Sequence, residues 1–189
     1  VRNVTFWLSK LLAVMLVIVS LHFAGLVIAI VKQLLSGYEN IEFGQYLISL
    51  LYFAVLPFCL LIVLAFLLQV LSPNKYVGMM LFVLYIISTI VLSNFGFSHN
   101  MFHFAGAPRV FYSDINTYGN FLSVHSWYMI YWLGVSIILS AISYALWHRG
   151  PAQSLKTRLK KVAYNLGKPG QLAIAAGLLC VVSAGSYIH

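Results

Sequence analysis

The histidines are the side chains most capable of chemistry in this sequence, which holds only 3 acidic residues among 189. His99 and His103 lie four residues apart in the segment HNMFH, and this spacing would place both on one face of a helix. A zinc protease requires HExxH with the glutamate as general base, and here Asn100 stands in that place. The sequence therefore favours two polar interfacial histidines over a metal site.

Ser113, Asp114 and His125 supply the three residue types of a hydrolase triad, but no nucleophile elbow surrounds the serine. The other acidic residues, Glu39 and Glu42, lie far from Asp114 in the sequence. The sequence therefore does not favour catalysis by a pair of carboxylates. There is no GxxxxGK[ST] phosphate loop, which excludes ATP binding by that route. We predict no catalytic, cofactor-binding or metal-binding residue in this chain.

Composition indicates a protein that resides in a membrane. The chain is 62% hydrophobic and 7% charged, with a mean hydropathy of +0.94. Its net charge of +8 is better explained by topology signals than by a nucleic-acid partner. Cys59 and Cys180 both lie within apolar runs, which favours core packing over a disulfide or metal pair. The start at Val1 suggests an excerpt from a longer polypeptide.

The apolar runs predict an all-α bundle of about five membrane spans. These cover about residues 6–35, 43–71, 77–94, 127–147 and 171–189. Pro57 is expected to kink the second span, which forms a hairpin with the third. His22 lies near the middle of the first span, where a relay or ligand role is the alternative to the favoured hydrogen-bonded packing. Small residues predict close helix packing in the last two spans, at Ser136, Ser140, Ser143, Ala173, Gly177, Ala184 and Gly185.

Residues 95–126 form the longest segment between predicted spans, and they are rich in aromatic side chains. Pro108 and several glycines make a continuous helix unlikely there, whereas so much apolar surface does not suit a solvated linker. We predict an ordered hairpin over the outer ends of the spans, with aromatic rings at headgroup level. Asp114 would accept hydrogen bonds from the backbone of residues 115–117 and could pair with Arg109.

Residues 151–170 are predicted to contain a basic amphipathic helix capped by Ser154 and ended by a Gly-Lys-Pro-Gly sequence at 167–170. Its basic residues are expected at the surface of an anionic leaflet, and they are Lys156, Arg158, Lys160 and Lys161. The alternative is a linker that merely obeys the positive-inside rule. Both interpretations are compatible.

The distribution of basic residues predicts the orientation. With a cytoplasmic N-terminus, nine of the 11 basic residues fall on the inner side, and only Lys32 and Arg109 do not. The aromatic loop, the acidic loop and the C-terminus would then be outside.

Two stretches carry a resemblance to a known family. Residues 102–122, FHFAGAPRVFYSDINTYGNFL, and residues 131–150, YWLGVSIILSAISYALWHRG, resemble bacterial membrane proteins that join a type 2 ATP-binding-cassette exporter permease to a zinc aminopeptidase of the gluzincin type. The entry segment VRNVTFWLSKLLAVMLV is similar to the start of such permeases. The motif residues that carry most of the likeness are Tyr112, Ser113, Asp114, Asn116, Tyr118 and Gly119.

The resemblance implies a permease-like membrane domain at residues 1–150, the basic linker, and a last span at 171–189 leading to a downstream domain. It implies transport across a bacterial inner membrane, a cytoplasmic ATPase partner, and a second permease half or a homodimer. Zinc and peptidase activity would belong to the downstream domain. The alternative is a non-transporting scaffold that anchors the aminopeptidase.

Overall fold

Five long helices make up the computed structural model, which describes residues 3–97, 99–113, 117–147 and 155–188. They are α1 (Asn3–Leu35), α2 (Phe43–Leu71), α3 (Lys75–Asn94), α4 (Phe121–Leu146) and α5 (Leu155–Ile188). Within the described part of the chain, all five are long and apolar enough to cross a membrane, α5 through Tyr164–Ile188. Helices satisfy their own backbone hydrogen bonds, as lipid requires. The chain is an all-α, multi-pass membrane protein.

The helix boundaries follow the predicted spans closely, except at the start of the fourth helix. The second helix has the predicted bounds, while α3 begins at Lys75 because the Asn74 side chain accepts a hydrogen bond of 2.9 Å from the Val77 N–H. The fourth helix begins at Phe121, six residues before the predicted start at Trp127. His125 is therefore part of α4 and does not lie in the loop, where the sequence analysis placed it.

The predicted irregularity at Pro57 takes the form of a π-helical segment at Ser49–Val55 within α2. Pro57 has no N–H, so it closes no hydrogen bond to Phe53, four residues back, or to Tyr52, five residues back. The wider turn that precedes the proline accommodates this loss.

The predicted break in the fifth helix is confirmed at Gly167, whose φ of 56° and ψ of −177° are non-helical. Positive φ suits glycine, and Pro169 restarts the helix because its first turn needs no N–H donor there. The basic helix and the last span are therefore two parts of α5. Ser154, the predicted cap, lies outside the described residues.

The antiparallel helices give the bundle two ends. The basic end contains the start of α1, the α2–α3 turn, the end of α4 and the start of α5; the loop end contains the opposite termini. At the basic end, the Trp7 Nε1 donates to Ser143 Oγ over 3.2 Å, and Trp7 packs with Leu11, Ile62 and Val63.

The α4–α5 contact, called the seam below, is the most extensive helix pairing. A Cβ atom at Gly134 would lie 2.8 Å from the Gly177 carbonyl oxygen, so the two backbones touch directly. Ala141 and Ala145 are buried against Leu166, and Ala184 is completely buried. The predicted close packing is confirmed for Gly177 and Ala184 on α5. On α4 the contact is made by Gly134, Ala141 and Ala145, which were not predicted, while Ser143 bonds to Trp7 of α1.

The loop that precedes α4 enters the bundle. Residues 99–110, called the buried loop, place Ala105 in a cluster with Leu60, Met129 and Trp132. Irregular backbone at this depth is tolerated where it is surrounded by protein. The prediction of a hairpin lying wholly over the helix ends is therefore wrong for this half of the loop, which inserts between α2, α3 and α4 because its backbone finds side-chain partners there.

Candidate functional site

Two side-chain hydrogen bonds hold the buried loop in place. Tyr85, nine residues before the end of α3, accepts with its hydroxyl oxygen from the Phe104 N–H over 2.9 Å. On the other side, the Trp132 Nε1 donates to the Gly106 carbonyl over 2.8 Å. A Cβ atom on Gly106 would lie 2.6 Å from the Asn100 carbonyl oxygen, so glycine is required for this tight fold. The loop is thus fixed from α3 and α4 at once.

A cavity of about 550 Å³ lies where the buried loop meets α2 and α4. Its lining comprises Ser49, Phe53, Pro57, Ala105, Gly106, Ala107, Pro108, Arg109, Val110, Tyr112, Tyr118 and His125. The volume is in the range of small-molecule sites, and aromatic walls with a few polar groups are typical of them. We call this space the loop-end cavity.

His125 is the polar group deepest in the wall of the loop-end cavity, with 4% of its surface exposed. Its ring lies 4.9 Å from the Phe53 ring and 5.2 Å from the Tyr52 ring, measured between centroids. Backbone groups of Tyr52 and Pro108 lie close enough to interact with the ring, but among the described residues none has the geometry of a full hydrogen bond to a ring nitrogen. A buried imidazole with only such imperfect contacts gains free energy when a ligand or water supplies a well-formed hydrogen bond.

Two tyrosines of the resemblance motif close the cavity at the loop end. The hydroxyl of Tyr118 shares a hydrogen bond of 3.0 Å with Ser49 Oγ, and Tyr112 accepts a hydrogen bond from Gln45. The two rings meet edge to face with 5.3 Å between centroids. Both contacts join the loop to the start of α2, next to the π-helical segment, a type of distortion frequent at functional sites.

The remaining motif residues contribute a turn. The Ser113 N–H donates to the Thr117 carbonyl over 2.8 Å, and Gly119 has a φ of 49°. Asp114 and Asn116 lie outside the described residues, as do the predicted contacts of Asp114 with Arg109 and with 115–117. Arg109 lines the cavity and is exposed.

The histidine pair HNMFH adopts a geometry different from the helical one considered above. His99 precedes a short 3-10 turn and accepts from the Met101 N–H, while His103 Nε2 lies 3.2 Å from Ser93 Oγ on α3. Among the described residues, no group of three or more His, Cys, Asp or Glu side chains could hold a metal ion. Cys59 and Cys180 are both free, and each is half-buried.

The predicted lipid-facing basic residues fall into two environments. Lys156, Lys160 and Lys161 are exposed on α5, as expected for a surface helix. Arg158 is a correction, because its side chain is 6% exposed and its Nη1 donates to the Val70 carbonyl over 2.7 Å. The carbonyl belongs to the last turn of α2, which attracts a cation.

His22 behaves as the packing interpretation predicts. Its Nδ1 donates to the Ile18 carbonyl over 2.9 Å within α1, and its ring lies 4.9 Å from that of Phe58. These contacts give the imidazole a structural role between α1 and α2.

Comparison with known proteins finds no matching family model, no matching curated protein and no matching solved structure. Function is therefore inferred from geometry. His125 was not predicted as a site residue because the fourth span was predicted to begin at Trp127. An ionisable residue two positions before a predicted span, opposite a proline-distorted helix, was the available signal.

Proposed function

We propose that this chain is a permease-like subunit of an exporter, in which the loop-end cavity is the outward vestibule for a small solute. The observation that carries the proposal is His125, which is buried in the cavity wall without a well-formed hydrogen bond to a described residue. A polar group that lowers stability inside a membrane protein is retained mainly where function uses it. A plain anchor requires no such cavity.

The contents of the cavity indicate the kind of solute. Arg109 offers a cation, His125 offers one donor and one acceptor when neutral, and Phe53 with the two tyrosines offers aromatic surface. We infer a small solute that combines an anionic or polar group with an apolar part. The Ser49 hydroxyl in the cavity wall shares its hydrogen bond with Tyr118 and not with His125, so no serine–histidine pair is assembled and binding and passage suit this site better than covalent chemistry.

The orientation in this proposal follows from the charge distribution. The basic end faces the cytoplasm and the loop end faces outward in a bacterial inner membrane. Transport would take its energy from a separate cytoplasmic ATPase subunit. The exposed apolar surface of α1, including Leu16 at 69% and Ile28 at 68%, supports lipid contact or packing against a second permease half or a second copy.

A second candidate function is a membrane anchor for a zinc aminopeptidase. The loop end carries exposed aromatic side chains, Phe111 at 65% and Phe95 at 77%, which suit the docking of an outward-facing domain. Zinc would be held in that domain. In a permease, the accessibility of the loop-end cavity to solvent should change during the transport cycle. In an anchor, it should stay constant.

Cysteine labelling of the cavity separates the two. In a chain whose Cys59 and Cys180 are replaced by alanine, Ser49→Cys places a thiol in the cavity wall and Tyr38→Cys places a control thiol in the α1–α2 loop. Intact cells are labelled with a membrane-impermeant maleimide before and after ATP depletion. For a permease, we expect the labelling rate of Ser49→Cys to change at least fivefold, while that of Tyr38→Cys stays constant.

Equal labelling of Ser49→Cys in both conditions would favour the anchor. Labelling of Tyr38→Cys only from the cytoplasmic side would overturn the orientation. Because the Ser49→Cys change removes the hydrogen bond with Tyr118, the same measurement on Ala107→Cys checks that the result does not depend on that bond.

A further inference from the structure

A second polar pocket lies at the basic end, far from the loop-end cavity. It has a volume of about 340 Å³ and is lined by Lys10, Phe66, Gln69, Val70, Ser72, Trp147 and Arg158. Lys10 comes from α1 and Arg158 from α5, and both converge on the last turn of α2. Two cations from distant parts of the sequence therefore share one pocket.

Arg158 is incompletely satisfied by the protein. Its Nη1 binds the Val70 carbonyl, whereas its buried Nε has no hydrogen-bond partner among the described residues. A guanidinium group has five N–H donors arranged in a fork that matches carboxylate or phosphate oxygens. Helix capping alone uses one of them. A buried cation with an unused donor is destabilising unless an anion completes it.

Among the residues that the structure describes, no carboxylate side chain lies at this end. Glu39 and Glu42 lie in the α1–α2 loop at the loop end. Asp114, the third acidic residue of the sequence, lies outside the described residues. An anion that binds Lys10 and Arg158 would therefore not be Glu39 or Glu42.

The walls of the pocket suit the boundary between lipid and water. The Lys10 Nζ lies 4.9 Å from the Trp147 ring centroid, and Trp147 stacks on Phe66 with 5.7 Å between centroids. Aromatic rings beside basic side chains are typical of the headgroup region, where phosphate is the abundant anion. The Trp147 ring holds the Lys10 ammonium at the rim of the pocket, although the lysine itself is exposed.

We propose that this pocket binds a phosphate group, held by Arg158 and Lys10 beside the Phe66–Trp147 stack. The phosphate belongs either to an anionic lipid headgroup or to a soluble phosphate. This binding is site-specific, unlike the general attraction of Lys156, Lys160 and Lys161 to an anionic surface.

The test uses the purified full chain in a neutral detergent and follows its thermal midpoint by tryptophan fluorescence. Short-chain phosphatidic acid, inorganic phosphate and short-chain diacylglycerol are titrated separately. We expect phosphatidic acid to raise the midpoint saturably and diacylglycerol to leave it unchanged. Equal protection by inorganic phosphate would assign the site to a soluble phosphate, whereas protection by the lipid alone would assign it to a headgroup.

Matched charge removals locate the effect. Lys10→Gln and Arg158→Gln should raise the half-saturating concentration at least about tenfold, equivalent to about 1.4 kcal/mol. Lys156→Gln removes the same charge from the exposed surface of α5 and should change it less than about twofold. Because Arg158→Gln also removes the α2 cap, Lys10→Gln decides the result if that variant does not fold.

The absence of saturable protection would overturn the proposal. So would an equal loss of affinity in Lys156→Gln and Lys10→Gln, since that result would mean general attraction between a basic protein and an anion. Added salt gives a further check, because binding in a half-enclosed pocket should weaken less with salt than binding at the exposed lysines.

Discussion

The seam between α4 and α5 and the buried loop beside α4 are held by opposite means. In the seam, contact depends on the absence of side chains, since Gly134 and Gly177 bring two backbones together. In the buried loop, contact depends on the presence of donors and acceptors supplied by Tyr85 and Trp132. Helix α4 thus contacts α5 closely through Gly134 and also binds the buried loop through Trp132.

The difference follows from what each backbone needs. A helix satisfies its own N–H and C=O groups, so two helices in lipid gain mainly by approaching closely. An irregular loop leaves backbone groups unpaired, and in a membrane interior these require side-chain partners. The seam should therefore be sensitive to added volume, and the buried loop to lost hydrogen bonds as well.

The largest effect is expected in the seam. Gly134→Leu would force a side chain against the Gly177 carbonyl and the Cys180 Cβ, each 2.8 Å from the position of the first added carbon. Since a carbonyl in a helix does not move aside, we expect the α4–α5 pair to separate, at a cost above the about 1–3 kcal/mol usual for overpacking. The measurement is the yield of monodisperse protein in detergent.

Gly25→Leu is the matched control, because nothing lies within 4 Å of a Cβ atom at Gly25 on α1. It should leave the yield close to that of the wild type. Comparable yields of Gly134→Leu and wild-type protein would mean that the backbones are not in contact in solution.

A smaller effect is expected in the buried loop. In Gly106→Ala, the new methyl group would meet the carbonyl oxygens of Asn100 at 2.6 Å and His103 at 2.7 Å. We therefore expect partial release of the buried loop, at the cost of about 1–3 kcal/mol that is usual for overpacking. Cleavage by trypsin after Arg109 should become at least about fivefold faster, since cleavage reports the open population.

Gly44→Ala, in α2 and with nothing within 4 Å of its Cβ, serves as the control. An unchanged cleavage rate in Gly106→Ala would show that the buried loop is not closely packed around this glycine.

The sequence predicted helices well because lipid leaves the backbone few choices. The second span was placed at its observed bounds, and Gly167 was placed at the break in α5. The small residues on the α5 side of the seam were also recognisable, whereas Gly134 on the α4 side was not predicted. Periodicity and hydropathy suffice for such features.

The site was less predictable because its contacts are distant in the sequence. Nothing local links Phe104 with Tyr85, or Gly106 with Trp132, so the loop was expected at the surface. Arg158 was grouped with its neighbouring lysines because helical periodicity does not reveal the Val70 carbonyl that buries it. Such pairings depend on tertiary packing, which overrides local pattern.

The smallest effect in this comparison is expected from Tyr85→Phe, which removes the hydroxyl bound to the Phe104 N–H and keeps the ring. Hydrogen bonds inside membrane proteins contribute about 0.6 kcal/mol on average, so release of the buried loop and tryptic cleavage after Arg109 should rise about threefold. Tyr164→Phe, at an 89% exposed position on α5, removes a hydroxyl without touching the loop and should have no effect. If both variants are cleaved at the wild-type rate, Trp132 and the surrounding apolar packing suffice to hold the loop. That result would contradict the claim that the buried loop, unlike the seam, depends on side-chain hydrogen bonds.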